Sequence, residues 1–215
     1  MALATYTDLT GALADWLNRA DLTTRISDFI ALSEATLNKI VRSNRMVTDT
    51  SLALTSGTRK VATPADMLEP LYLQISDSQP LEQVAPHDLI TLRRARLKTQ
   101  GVPAFYAIIG QYFEFAATPN ANMSCDCLYY QAIPSLQANS TNWLMTYNPD
   151  LYLYTALLHA SPFLKDDART QLFGNLLAQQ VAAAVKQNQK VSFDTDAVGS
   201  FSLAPADNSV MASAA

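Results

Sequence analysis

The side chains able to do chemistry are few and scattered. Cys125 and Cys127 stand one residue apart, which puts both on one face of a strand and makes poor geometry for a disulfide between them. Free cysteine behaves as a small apolar group and is among the most buried residue types, so the pair reads as core. Zinc needs about four ligands, and the two histidines, His87 and His159, lie far off in sequence; no metal is expected. His87 precedes Asp88 at a helix start and reads as a surface or capping residue. His159 sits in an apolar run and reads as a hydrogen-bonded core residue rather than a base. No activated Ser or Cys nucleophile stands beside His87. With only six glycines and none of the Gly-rich phosphate-binding or nucleophile-elbow motifs, neither catalysis nor a cofactor is expected. The densest charge cluster is Arg93, Arg94, Arg96 and Lys98 on one short segment. It suits a solvated face, an acidic partner surface or a phosphate backbone.

The elements around these residues change character along the chain. Tyr6, Leu9, Leu13, Trp16 and Leu17 recur at helical spacing, and Asn18 to Asp21 makes a break. Ile26, Phe29, Ile30, Ser33, Leu37, Ile40 and Val41 form a second helical stripe, with Ser27 and Asp28 as its cap and first-turn acid; that helix ends near Ser43-Asn44. From Arg45 the period shortens to two. Met46 to Leu54 predicts a strand, Thr55 to Gly57 a turn, and Thr58 to Ala62 a short return. Leu71 to Ser76 and Leu81 to Val84 are further strands, and Pro86 to Thr99 is a short helix. Ala104 to Ile109 and Tyr112 to Phe115 flank Gly110-Gln111, a sequence suited to a type II′ hairpin turn. Met123 to Gln131 is a last strand. Phe105, Ile108, Phe113, Phe115, Leu128 and Tyr130 are the candidate core of this β-rich stretch.

Residues 147–173 are the most informative. Asn148 can cap a helix, Pro149 suits its first turn and Asp150 complements the positive end of its dipole. Leu151 to Leu164 then carries no formal charge with His159 neutral, and a helix apolar all round is buried on several sides. Pro162 kinks or ends it, Asp166 or Asp167 caps the next helix, and that helix, with Phe173, Leu177 and Val181 on one face, reaches about Gln187. The fold class this predicts is α+β: mainly a bundle of about four helices built from 1–44 and 137–190, with a β-rich insertion at 45–136. An extended C-terminal tail, 191–215, is rich in Ser, Ala and Asp and cannot build a core of its own. Phe193, Phe201 and Leu203 are its anchors for docking on a neighbour or another protein.

The 215 residues are 49% hydrophobic and 16% charged, enough to bury a real core while leaving much neutral surface for partners. Net charge is −4, and the excess acid is local: Asp194, Asp196 and Asp207 follow Lys190 with no base among them. A body this close to neutral is not a free-standing DNA-binding domain. No apolar stretch reaches the roughly 18 residues of a membrane span, and no basic n-region precedes an apolar run at the start; neither a membrane partner nor a secretory signal is expected.

The order of these features resembles the head-to-tail adaptor (connector, neck) proteins of tailed bacteriophages, the short-tailed type in particular. Three stretches carry the resemblance: Tyr6 to Arg42, including Ala14 to Arg19 and Ile26 to Ala35; Pro103 to Gly110 with its hairpin, Pro119-Asn120 and Tyr129-Tyr130; and Asn148 to Tyr154 followed by Phe163 to Asp167. Ser27 stands where such proteins are expected to carry proline. The resemblance implies a structural virion protein without catalysis, located in the neck. It would form a homo-oligomeric ring, typically a dodecamer, between the portal protein and the tail (nozzle or fibre) proteins. The ring extends the DNA channel and helps retain DNA, which passes without sequence-specific binding. Because a tight grip would hinder that passage, the basic cluster is assigned to a subunit contact, giving Arg93, Arg94 and Arg96, with Phe193, Phe201 and Leu203, as candidate interface residues. The competing reading is a small-molecule-binding or enzymatic helical domain with a β insertion, which needs a pocket with convergent polar groups.

Overall fold

The computed structural model describes residues 3–18, 20–75, 80–95, 100–164 and 167–193. Its α-helices are α1 (Tyr6–Leu17), α2 (Thr23–Ile40), α3 (Pro86–Ala95), α4 (Leu136–Asn139), α5 (Trp143–Tyr147), α6 (Pro149–Phe163) and α7 (Asp167–Phe193). Its strands are β1 (Val47–Leu54), β2 (Lys60–Ala62), β3 (Met67–Ile75), β4 (Glu82–Gln83), β5 (Phe105–Ile109), β6 (Tyr112–Phe115) and β7 (Met123–Gln131). The strands form a three-stranded sheet, β1-β7-β3, and a four-stranded sheet, β2-β6-β5-β4. The predicted bundle of about four helices with an insertion is therefore corrected. Among the described residues the fold is α+β with seven α-helices and two sheets. Periodicity finds strands but cannot show that two sheets face each other and enclose a core of their own. No helix among the described residues is long and apolar enough to cross a membrane.

The helical core is organised by α6. Leu151, Tyr152, Leu153, Thr155, Ala156, Leu157, Ala160 and Ser161 are all buried, so the helix has no solvent stripe wide enough to make it amphipathic. Its hydroxyls are satisfied internally: Thr155 Oγ1 donates to Leu151 O at 2.6 Å and Ser161 Oγ to Leu157 O at 2.8 Å. Tyr152 Oη accepts from Asn142 Nδ2 at 2.8 Å; burial pushes this phenol well above its ordinary pKa. Around α6 pack Leu9, Leu13 and Leu17 of α1, Ile26, Ile30 and Leu37 of α2, and Phe173 and Leu177 of α7. Pro162 lies in the last turn, and the chain leaves the helix at Leu164.

Helix ends show where local signals misled. Thr5, not a residue of the predicted stripe, caps α1: its Oγ1 accepts from Asp8 N while Asp8 Oδ2 accepts from Thr5 N, a reciprocal capping box. The Thr5 hydrogen bond, then that of the Ala4 backbone, lowers the Asp8 pKa. Asn18 closes α1 in the left-handed region with φ 49°. The second helix starts at Thr23, directly after a 3₁₀ turn over Ala20–Leu22, so Ser27 lies inside it and bonds back to Thr24 O. It stops at Ile40 rather than near Ser43. Asn148 holds the N-cap position of α6 without a side-chain cap bond.

The second core lies between the sheets. Leu54, Leu73, Ile75, Cys125, Cys127 and Tyr129 from the three-stranded sheet meet Tyr106, Phe113 and Phe115 from the four-stranded one. Phe113 and Phe115 are therefore core, as expected. On β7 the phase is the other one: Cys125, Cys127 and Tyr129 point in, whereas Leu128 and Tyr130 are only half-buried. Both thiols are free, and burial pushes them up to about 12 and about 11 respectively. The β5–β6 hairpin pairs Ile109 with Tyr112. Its two-residue loop has positive φ (63°) at Gly110 and not at Gln111, as a type II′ turn requires. Leu157→Ala should destabilise the protein by about 2–5 kcal/mol through a cavity in a site with no solvent exit, read as a lower denaturant midpoint at unchanged slope.

Candidate functional site

The basic cluster divides into two roles. α3 lies on the outer face of the four-stranded sheet, where Leu89 packs with Ala107 of β5 and Ala116. One turn further along, Arg93 reaches down to the sheet. Its Nη1 lies 2.7 Å from Glu114 Oε1 and its Nη2 donates to Phe115 O at 2.7 Å. Lys60, paired with Glu114 across β2 and β6, adds its Nζ at 3.4 Å from Oε2. With both terminal nitrogens committed, Arg93 Nε is buried without a partner. Burial alone would raise the Glu114 pKa; the hydrogen bond and charge of Arg93, then Lys60, outweigh it and hold the carboxyl below its ordinary value. Arg93 is thus a clamp between α3 and β6. Arg94, its neighbour, is exposed and free for a partner. Arg96 and Lys98 lie outside the described residues, as do Asp166, Phe201 and Leu203; Phe193 is the last residue of α7, and its side chain also lies outside them.

Polar pins that sequence reading did not single out hold the segments around the three-stranded sheet in place. As the chain returns from β7, Ile133 N donates to Asn38 Oδ1 at 2.8 Å and Leu136 N to Glu34 Oε1 at 2.7 Å. Asn38 and Glu34 are one turn apart on α2, so one helix face fixes the path of the segment after β7 into the helical core, where Ile133 and Leu136 are buried. Asp66 receives Tyr129 Oη at 3.1 Å and Gln131 Nε2 at 2.6 Å, tying the loop before β3 to β7. Arg42 lies over the Tyr130 ring at 5.9 Å and pairs with Glu69 at 3.5 Å, and Arg45 lies over Tyr147 at 3.7 Å. The available signal was an Asn and a Glu spaced i, i+4 on one helix, α2.

The remaining candidates for chemistry sit apart. His87 is exposed beside Asp88, with Nδ1 at 3.2 Å from Oδ1. His159 is half-buried, its Nε2 is 2.9 Å from Thr36 Oγ1, and burial lowers its pKa. Among the described residues no three His, Cys, Asp or Glu side chains gather where a metal could sit. A cleft of about 400 Å³ opens between the loop before β3 and the β5–β6 hairpin, lined by residues such as Thr63, Pro64, Met67, Ile108 and Tyr112. Its lining holds no carboxylate, imidazole or thiol. Large apolar side chains, by contrast, are exposed on several helices: Trp16 on α1, Leu32 on α2, Phe163 on α6 and Leu172 on α7. Trp16 touches Tyr154 and Phe173, each with ring centroids at 6.4 Å, so half of its surface is held by the core and half is offered outward.

Two hydrophobic cores with apolar and charged side chains turned outward suit a protein that contacts other proteins. The model of the SU10 adaptor protein family matches residues 4–199, nearly the whole chain, and the protein belongs to that family. Its members are phage adaptors: structural, non-enzymatic virion components of the head–tail junction that meet neighbouring head and tail proteins. No curated protein matches the chain.

Arg93→Ala should cost about 3 kcal/mol of stability by leaving Glu114 poorly compensated, whereas Arg94→Ala should stay within about 0.5 kcal/mol, both read by chemical denaturation. The Glu114 carboxyl is depressed in the folded state, so its contribution is complete above the ordinary carboxylate value of 4.5 and is lost as pH falls from there through the folded value. Glu114→Gln should flatten that acid limb of the stability profile; an unchanged limb would place the acid-sensitive group elsewhere.

Proposed function

We propose that copies of this chain assemble into a dodecameric ring between the portal and the first tail component. The ring extends the DNA channel and helps retain packaged DNA, while the DNA slides past without sequence-specific contacts. The match to the adaptor family over residues 4–199 carries this reading. The exposed apolar side chains of α1, α2, α6 and α7 support it, since such surface suits contact between proteins. The nearly neutral body fits a ring that lets DNA slip, because phosphate binding needs clustered cations.

In this reading the helical part, 1–44 with 137–190, is the ring-forming domain. The β-rich part, 45–136, faces the tail, and 191–215 reaches a neighbouring subunit or the portal through Phe193, Phe201 and Leu203. Ending the chain after Phe193 keeps α7 whole while removing Phe201 and Leu203. The truncated protein should fold with an unchanged thermal midpoint but bind portal-bearing heads at least ten-fold more weakly, about 1.4 kcal/mol. Unchanged binding in a head-pelleting assay would exclude the tail as the anchor. The ring itself is tested by electron cryomicroscopy of native particles: density for this polypeptide between portal and tail is expected, and its absence from the mature particle would refute the proposal.

A further inference from the structure

The three-stranded sheet has one face in the core and one face open. The register of β1, β7 and β3 arranges the open face in rows: Ser51, Asp126 and Gln74 in one, Asp49, Leu128 and Tyr72 in the next. A third row, Val47, Tyr130 and Glu69, abuts the helical core, where Arg42 meets Glu69. In the first two rows Asp49, Ser51, Asp126 and Tyr72 are exposed. Asp49 and Asp126 have no ion-pair partner among the described residues. This face is thus apolar along Tyr72 and Leu128, with two uncompensated carboxylates beside them.

α3 lies at the opposite side of the two-sheet unit, since it covers the outer face of the four-stranded sheet and the two sheets meet through their inner faces. Leu89 and Arg93 turn inward. The outward positions are His87, Ile90, Thr91 and Arg94, at helical spacing; Ile90 is 49% exposed, and Arg94 has no ion-pair partner among the described residues. The same unit therefore carries an apolar-and-cationic helix face on one side and an apolar-and-anionic sheet face on the other.

We propose that the open face of the β1-β7-β3 sheet of one copy docks on the outer face of α3 of the next copy, with Arg94 meeting Asp126 and Asp49 and Ile90 lying on Tyr72 and Leu128. Complementary charge on opposite sides of one body makes a head-to-tail contact, which closes into a ring when the rotation between copies permits. The contact adds a seam between the β-rich parts to the packing of the helical parts in the proposed ring, and rests on that reading. It also explains the division of labour on α3: Arg93 holds the helix against the sheet so that Arg94 is presented from a fixed frame.

The test uses charge exchange in the full-length chain. Asp126→Arg alone and Arg94→Glu alone should each weaken assembly roughly ten-fold or more by setting like charges together, read by sedimentation and by ring counting on portal-bearing heads. An equimolar mixture of the two variants should recover assembly. In alternating order the Asp126→Arg sheet of one copy meets the Arg94→Glu helix of the next, and the contact after it joins the native Asp126 to the native Arg94. Recovery also shows that neither variant is misfolded. If the wild type forms rings and both variants form them equally well, the assigned faces are wrong while the ring stands. If Asp126→Arg forms normal rings but no longer accepts tail components, the sheet face belongs to a tail protein and the proposal is overturned. If the wild type forms no ring on portal-bearing heads, the ring and this contact fall together.

Discussion

Burial of α6 around most of its circumference is the constraint from which the rest of the helical part follows. A helix with Leu151, Tyr152, Leu153, Leu157 and Ala160 all shielded from water needs neighbours on several sides. α1, α2 and α7 supply them. Each outer helix then buries one stripe and leaves the other to solvent or to partners. The exposed Trp16, Leu32 and Leu172 are a consequence, since helices wrapped around an apolar axis carry apolar residues beyond the reach of that axis. The hydrogen bonds of Thr155, Ser161 and Tyr152 let this dry centre hold polar atoms without leaving them unpaired, which would cost about 1–3 kcal/mol each.

The β part solves a different problem. Two small sheets lack the area to be stable singly, and facing each other they share Phe113, Phe115, Cys125, Cys127 and Tyr129 as one interior. α3 closes the outer side of one sheet, held by the Arg93–Glu114 pair, and nothing among the described elements closes the outer side of the other beyond the row at Tyr130. The asymmetry gives the unit two unlike sides. For a ring-former this matters more than any pocket, because a head-to-tail contact between identical copies needs two different, complementary surfaces on each copy. The pins from Glu34 and Asn38 fix where the chain leaving β7 enters the helical core.

Sequence pattern and structure part company at specific residues. The apolar run from Leu151, the hairpin at Gly110-Gln111 and the strands near 47–54 and 123–131 were legible because each depends on neighbours in the chain: capping, turn chemistry, periodicity. Ser27 was misread as a cap because a cap is defined by backbone shape, and a 3₁₀ turn carries the chain into α2 four residues earlier. Leu128 and Tyr130 were assigned to the β core because both alternating sets on β7 are apolar enough to be inside. Only contact with the facing sheet selects Cys125, Cys127 and Tyr129. Arg93 and Arg94 are indistinguishable as letters and opposite in role, since a helix turns about 100° per residue and one of them meets the buried carboxylate of Glu114.

By itself the sequence determined the local elements and the apolar helix at the centre, which rest on interactions within a few residues along the chain, and the adaptor-like order of segments. The tertiary structure alone decided that the strands divide into two facing sheets, that Asn38 and Glu34 hold the segment after β7 against α2, and which cation is locked and which is offered. Those outcomes depend on pairs such as Arg93 with Glu114 and Asn38 with Ile133, far apart in sequence, whose energies exist only once folding has brought them within hydrogen-bonding distance.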